Sequence, residues 1–502
     1  MFAKKIHRTD MIRCVLCADA PCTKACDGLD PAGLLRSIWF DNEACAAASL
    51  PERIPCMNCD APCEKACVRP GEVHIKDLIK RLNDEIKPEV EAIDNDEDIL
   101  KTTFCGKPIE NPFLLSSSVV GSTYDKCARA FEAGWAGISF KTICSIDIHE
   151  TSPRYSAICG SSGTIIGFKN IEQLSTHTVE EDMAIFRKLK QNYPNKFILA
   201  SIMGQNDQEW EDLARMCEEN GADAIELNFS CPNMVEGFLG SAIGESPELV
   251  ERFTTRACRE TSLPVLAKLT PNVGHMSPAA DAAIRGGASG IAAINTIKSI
   301  IGINPHTYVS EPAVHGMSAV GGYSGTAVKP IALRFIEELC HNPNLKNKHI
   351  SAMGGIETWT DALEFLLLGA ATVQVTTAVM QYGYRIIDDL KSGMIRYLKE
   401  KGVTDIKQIR GIALDSISDT TEVLERDTIL FPKFDHDKCM GCGRCVISCA
   451  DGGHDALTMD GNRKVRLNGK KCVGCHLCIL VCPDRAISST SRRISRDKPA
   501  EE

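Results

Sequence analysis

Twenty-five cysteines divide this 502-residue chain unevenly: nine precede position 70, eight follow position 438, and the long stretch between is poor in them. The last eight form two runs of one spacing, C-x2-C-x2-C-x3-C, at Cys439, Cys442, Cys445 and Cys449 and again at Cys472, Cys475, Cys478 and Cys482. Three thiolates this close in sequence can fold around one inorganic centre, and in this pattern the fourth cysteine of each run crosses to the other centre. The spacing therefore predicts two [4Fe-4S] clusters, one on Cys439, Cys442, Cys445 and Cys482, the other on Cys472, Cys475, Cys478 and Cys449. Pro483 closes the second run, while Ala450 stands where the first would usually have proline. Zinc would need only four thiolates in paired form and accounts for two tandem runs less well. Such a module moves electrons singly and performs no substrate chemistry alone.

The first cysteines repeat a segment. Cys14, Cys17, Cys22 and Cys26 end in Asp-Ala-Pro-Cys-Thr-Lys-Ala-Cys, and Cys56, Cys59, Cys63 and Cys67 end in Asp-Ala-Pro-Cys-Glu-Lys-Ala-Cys. Between them Leu34, Leu35, Ile38 and Trp39 have helical spacing, which puts the thiols on loops between short helices. Eight thiolates suit two further [4Fe-4S] clusters, with two structural zincs as the alternative because the spacing differs from the C-terminal one. Cys45 is left over and reads as packing. Met1–Arg13 carries Lys4, Lys5, Arg8 and Asp10 with no apolar core, so no secretory leader is expected, and clustered thiols then imply a reducing, cytoplasmic setting. A net charge of -10 argues against nucleic acid as a partner. The most apolar segment, 364–380, is broken by Gly369, Thr372 and Gln374, so no membrane span is expected.

From Thr102 the rhythm changes to short apolar runs alternating with helical stretches. Eight runs read as strands: Phe113–Ser118, Gly137–Ile143, Phe197–Gly204, Ala224–Ser230, Pro264–Pro271, Gly290–Ile297, Ile350–Ile356 and Thr372–Val379. Eight strand–helix units predict an α/β (β/α)8 TIM barrel, with an open doubly wound sheet as the runner-up. The domain limits follow: an α-helical iron–sulfur domain at 1–97, the barrel at 98–412, a linker at 413–430, a 2[4Fe-4S] ferredoxin-like domain at 431–490 and a tail at 491–502. The tail, from Ser489 on, shows no apolar pattern and reads as disordered or as a partner contact.

A barrel places its active site where strands end. Here they end in Ser116-Ser117, Lys141-Thr142, Asn228-Phe229-Ser230-Cys231, Lys268-Leu269-Thr270, Asn295-Thr296, Gly354-Gly355 and Thr376-Thr377. The glycine and threonine pairs, with Gly325, offer backbone N–H and hydroxyl donors where barrels commonly hold a phosphate. A phosphate site, two lysines and electron carriers in one chain point to FMN, which takes up a hydride and passes electrons on singly. Lys268 is the candidate for the ring's N1/O2 edge. A Schiff-base aldolase using Lys268 or Lys141 would explain the lysine and leave sixteen cluster-type cysteines idle.

The segments Asn228–Pro232, Ala267–Asn272, Asn295-Thr296, Gly322–Gly325 and Gly354–Ile356 resemble the flavin barrel of dihydropyrimidine dehydrogenases and the related class 1 dihydroorotate dehydrogenases. Barrel plus ferredoxin-like end is similar to the catalytic subunits of bacterial NAD-dependent members, and the first 95 residues, more loosely, to the N-terminal cluster domain of single-chain ones. The resemblance implies FMN binding by Ser117, Lys141, Thr142, Lys268, Gly325, Met353, Gly354, Gly355, Thr376 and Thr377. It implies pyrimidine binding by Asn170, Asn228, Phe229, Ser230, Asn295 and Thr296, and catalysis by Cys231, which would protonate C5 of uracil or thymine as hydride reaches C6. It also implies a first N-terminal cluster on Cys14, Cys17, Cys22 and Cys67. The second would use Cys26, Cys59 and Cys63, with Cys56 in place of a glutamine whose aligned position holds Ile79. No G-x-G-x-x-G occurs, so FAD and NAD(P)H are expected on a partner subunit in a hetero-oligomer. Alternatives are dihydroorotate or another cyclic amide as substrate, and a non-catalytic electron-relay subunit.

Overall fold

The computed structural model describes residues 6, 8–91, 94–160, 163–234, 239–418 and 420–495. They form two compact units, Met1–Asp415 and Ser416–Glu502.

Eight strands in the first unit close into a barrel: β1 (Phe113–Leu115), β2 (Gly137–Ser139), β3 (Phe197–Ile202), β4 (Ala224–Asn228), β5 (Val265–Lys268), β6 (Gly290–Ala293), β7 (His349–Met353) and β8 (Thr372–Val375). Each pairs in parallel with the next in sequence, and β8 pairs with β1. All eight expected runs are strands. Most stop short of the expected end, because the polar residues that follow leave the ladder and turn into the loops of the mouth. Helices begin where the sequence supplies caps. Thr178 and Glu181 form a capping box at the start of α1 (Val179–Asn192), and Thr358 with Asp361 does the same for α2 (Trp359–Leu368).

A second sheet has no counterpart in the eight-strand expectation. Tyr155–Cys159 and Ile165–Asn170, inserted after β2, pair antiparallel with each other; Ile297–Ser299 and Gly321–Ser324, inserted after β6, complete the order. Its register sets Asn170 opposite Gly322.

At the opposite end of the barrel, the hairpin Thr102–Phe104 and Lys107–Ile109 stacks Phe104 on Phe197 and His349, with ring centroids 4.5 and 4.3 Å apart. His349 Nδ1 accepts from the Cys105 amide at 3.3 Å, which leaves Nε2 to donate to Thr372 Oγ1 at 3.0 Å. Burial, with a smaller push from Arg410, lowers this imidazole to about 3. The folded chain therefore keeps it neutral while the unfolded chain binds a proton below about pH 6.5. Its contribution to stability is complete above that value and declines as pH falls towards 3. Lowering the pH from about 7.5 to about 5.5 is expected to cost wild type about 1 kcal/mol more than His349→Gln, read from thermal midpoints at both pH values.

The N-terminal helices belong to the same compact unit as the barrel. On the barrel helix α3 (Ile386–Glu400), Asp389 accepts from Arg36 Nε at 2.8 Å and Ser37 Oγ at 2.7 Å, and Tyr382, at the end of the preceding helix Thr377–Tyr382, packs edge-on to Phe40 at 5.2 Å. Trp359 Nε1 donates to the Asp41 carbonyl at 2.8 Å. Cys45 donates to the Ser392 carbonyl at 3.6 Å, a packing contact with the same helix.

In the second unit, Thr428–Phe434 pairs antiparallel with Ile487–Ser495 around a small core of Cys445, Leu457, Val465, Cys478 and Ile487. Two expectations change here. The linker ends before Thr428, and residues 489–495 are strand, because their backbone pairs antiparallel with Thr428–Pro432. Residues 496–502 of the expected tail lie outside the described residues. Among the described residues no helix is long and apolar enough to cross a membrane.

Candidate functional site

The strand ends of the barrel surround one cavity of about 1150 Å³, counting its open mouth. Ser117, Lys141, Thr142, Lys268, Gly325, Met353, Gly354, Gly355, Thr376 and Thr377 all line it. On one side the donors are uncharged. Gly354 and Gly355 have φ of 128° and 77°, and a Cβ on Gly355 would lie 2.7 Å from the Lys329 amide nitrogen. Only glycine lets this turn press back against the Lys329–His341 helix and leave its backbone towards the cavity. The Ser324 and Thr377 hydroxyls lie 3.0 Å apart beside it, and those of Ser118 and Thr376 3.4 Å apart. Uncharged amide and hydroxyl donors at a barrel's last strands suit the phosphate of FMN.

Two lysines stand deeper, each paired. Lys268, 3% exposed, donates to Glu226 at 3.3 Å and to Ser116 Oγ at 3.4 Å. Lys141 lies 3.0 Å from Glu172 and 3.5 Å from Glu150. Tyr155 donates to the other Glu172 oxygen at 2.9 Å. Burial and then the Glu172 charge push this phenol up to about 12, so it stays a donor. Glu150, Glu172 and Tyr155 carry no spacing signal in the sequence; the inserted sheet brings Glu172 and Tyr155 to the cavity. Glu226 could have been noticed as the one charge in the apolar run Ala224–Leu227.

The amides of Asn228 and Asn295 are linked through Ser230, and Asn170 stands apart with Asn233. Asn228 Nδ2 donates to Thr142 Oγ1 at 2.9 Å, and its Oδ1 accepts from Ser230 Oγ at 2.9 Å. Asn295 Nδ2 donates to Ser230 Oγ at 2.7 Å, and Asn295 Oδ1 accepts from the Thr296 amide at 2.7 Å. Asn170 Oδ1 accepts from Asn233 Nδ2 at 3.4 Å. Asn170, Asn228, Asn295 and Thr296 line the cavity, but two expected residues do not. Phe229 is fully buried against Trp210, 5.2 Å between ring centroids, because the strand ends at Asn228 and the loop beyond it turns Phe229 into the core. Ser230 is fully buried and props Asn228 and Asn295 from behind.

Cys231 lines the same cavity and is 7% exposed. Burial pushes its thiol up to about 11, against the lowering effect of the Asn233 and Met234 amides and of Lys268. It is therefore protonated at neutral pH, the state a proton donor needs. Its loop runs on into residues 235–238, outside the described residues.

Sixteen of the other thiols gather in four groups. Cys14, Cys17, Cys22 and Cys67 surround one cavity. Cys26, Cys59 and Cys63 surround Cys56 closely enough for neighbouring thiols to help burial push Cys56 and Cys63 up to about 11. In the second unit Cys439, Cys442, Cys445 and Cys482 share a cavity with Pro483, and Cys449, Cys472, Cys475 and Cys478 share another. Both pairs of runs exchange members.

Residues 99–398 match the family model described as dihydroorotate dehydrogenase, and residues 433–488 match a 4Fe-4S dicluster domain. The NAD-dependent dihydropyrimidine dehydrogenase subunit PreA of Escherichia coli K12 is 52% identical over 358 residues, 71% of this chain and 87% of that protein. The chloroplastic dihydropyrimidine dehydrogenase (NADP(+)) of Arabidopsis thaliana is 37% identical over 340 residues, covering 65% and 80%. The catalytic subunit of dihydroorotate dehydrogenase B (NAD(+)) from Pyrococcus abyssi is 37% identical over 320 residues, covering 63% and 99%. With its eight-stranded barrel and its dicluster domain, the chain is an oxidoreductase belonging to the dihydroorotate dehydrogenase family.

Proposed function

We propose that this chain interconverts uracil or thymine with the 5,6-dihydropyrimidine on FMN held at the barrel mouth. The observation that carries this reading is the set of amides of Asn170, Asn228 and Asn295 lining the cavity beside a protonated Cys231. A pyrimidine ring alternates carbonyl acceptors with N–H donors, and each asparagine amide can answer both. FMN, when bound, supplies hydride exchange with the ring and single-electron exchange with iron–sulfur clusters. Lys268 would face the electron-rich edge of the flavin, and Thr376, Thr377 and the glycine turn would hold its phosphate. Cys231 would hold the proton destined for C5 as a thiol, and in the reverse direction its thiolate would accept that proton from C5.

Charge favours a neutral ring over dihydroorotate. Lys268 is paired with Glu226, and Lys141 with Glu172 and Glu150, so neither lysine is unpaired to receive a carboxylate. Two carboxylates on that side would repel one. For the electron route we infer four [4Fe-4S] clusters, one in each four-thiol group. The C-x2-C-x2-C-x3-C spacing of the two C-terminal runs favours clusters over zinc. Electrons would come from an FAD- and NAD(P)H-binding partner subunit in the cytoplasm, since no dinucleotide fingerprint occurs in the chain.

Anaerobic addition of dihydrouracil or dihydrothymine to the FMN-loaded chain is expected to bleach the flavin, while dihydroorotate and NADH leave it oxidised. Bleaching by dihydroorotate alone would reassign the substrate, bleaching by neither would favour an electron-relay role, and bleaching by NADH would remove the need for a partner.

A further inference from the structure

Glu226 lies one layer beneath the cavity, wholly buried, and it does not line the site. Its Oε1 accepts from Lys268 Nζ at 3.3 Å and from Ser139 Oγ at 3.0 Å; its Oε2 accepts from Gln374 Nε2 at 3.2 Å. Three donors from β2, β5 and β8 fix it on β4. A carboxylate removed from water is costly unless such partners compensate it, and a packed apolar side chain would fill the space at less cost. Elsewhere in this layer the barrel uses neutral groups, Ser139, Ser351, Thr372 and Gln374. The charge is therefore unusual in its surroundings, and among the described residues its one cationic contact is the lysine that reaches the cavity.

We propose that Glu226 is a positioning residue that sets the reduction potential of the bound flavin by cancelling most of the field of Lys268. The inference rests on the FMN reading of the cavity. A lone ammonium beside the ring would stabilise the negative charge that reduction places there and would make the flavin a reluctant hydride donor. Paired with a buried carboxylate, the same ammonium still orients a hydrogen bond while the net charge beneath the ring is close to zero. Glu226 thereby keeps the flavin potential low enough for electrons to move on to a ring substrate.

The test is Glu226→Gln in the FMN-loaded chain, with the flavin midpoint potential and the dissociation constant for sulfite as readouts. Sulfite leaves a negative charge on the flavin ring when it binds, so its affinity follows the local positive field. The variant is expected to shift the potential in the positive direction and to bind sulfite on the order of tenfold more tightly. The glutamine can be accommodated, because Gln374 Oε1 has no partner and the Gln374 amide can turn to accept from the new Nε2. Glu226→Asp keeps the charge and withdraws it by one methylene, so both readouts should move the same way by less. An unchanged potential and sulfite affinity in either FMN-loaded variant would overturn the inference while leaving the flavin site standing. Failure of wild type to bind FMN would instead overturn the reading beneath it.

Discussion

Cys231→Ala is expected to slow turnover by about two to four orders of magnitude, the range that a positioned general acid contributes. The reason is specific to its surroundings. The thiol is protonated because burial outweighs the Asn233 and Met234 amides that favour the thiolate, and it opens on the cavity that Asn228 and Asn295 also line. Removing it takes away a proton source and little packing, so FMN content and the cluster spectrum should be unchanged. Serine at this position keeps a hydroxyl, which is a far weaker acid than the thiol, and should recover a minor part of the rate. A Cys231→Ala rate within about twofold of wild type would take this residue out of the proton transfer.

The second large effect concerns the clusters, where the exchange of members between runs makes distinct predictions. Cys67→Ser should remove the centre shared with Cys14, Cys17 and Cys22, although Cys67 follows Cys63 by four residues. Cys56→Ser should remove the other N-terminal centre, and Cys482→Ser the one shared with Cys439, Cys442 and Cys445. Each variant is expected to lose about four irons per chain and one set of cluster EPR signals. If ligands were grouped run by run, Cys67→Ser and Cys56→Ser would abolish the same signals. Equal spectra from those two variants would reject the interleaved arrangement.

Much of the architecture was legible because it is local. Apolar runs such as Phe197–Ile202 and Ala224–Asn228 are buried on both faces, as parallel barrel strands are, and the second ends abruptly in polar groups at the mouth. The cysteine runs were legible because a cluster imposes short spacings on the chain. The inserted sheet was not, because its pairing joins residues about 150 positions apart, Asn170 with Gly322, and its strands expose residues on one side without a clean alternation. That sheet brings Tyr155 and Glu172 to the cavity, so half of the charge arrangement around Lys141 could not be read in advance. Phe229 and Ser230 mark a different limit. A motif names neighbours in sequence, but the strand ends at Asn228, and in the loop beyond it Phe229 turns into the core and Ser230 lies behind the asparagines while Cys231 returns to the cavity. The last strand escaped for want of a pattern of its own: residues 489–495 are polar apart from Ile494, and pairing with Thr428–Phe434 is what orders them.

The account joins substrate chemistry at the barrel mouth to electron carriage by clustered cysteines. It is tested most directly by freeze-quenched EPR of the FMN- and iron-loaded chain mixed anaerobically with dihydrouracil. The predicted result is the appearance of reduced-cluster signals in wild type, strongly delayed in Cys231→Ala. Clusters that stay oxidised with dihydrouracil yet are reduced by dithionite would contradict it.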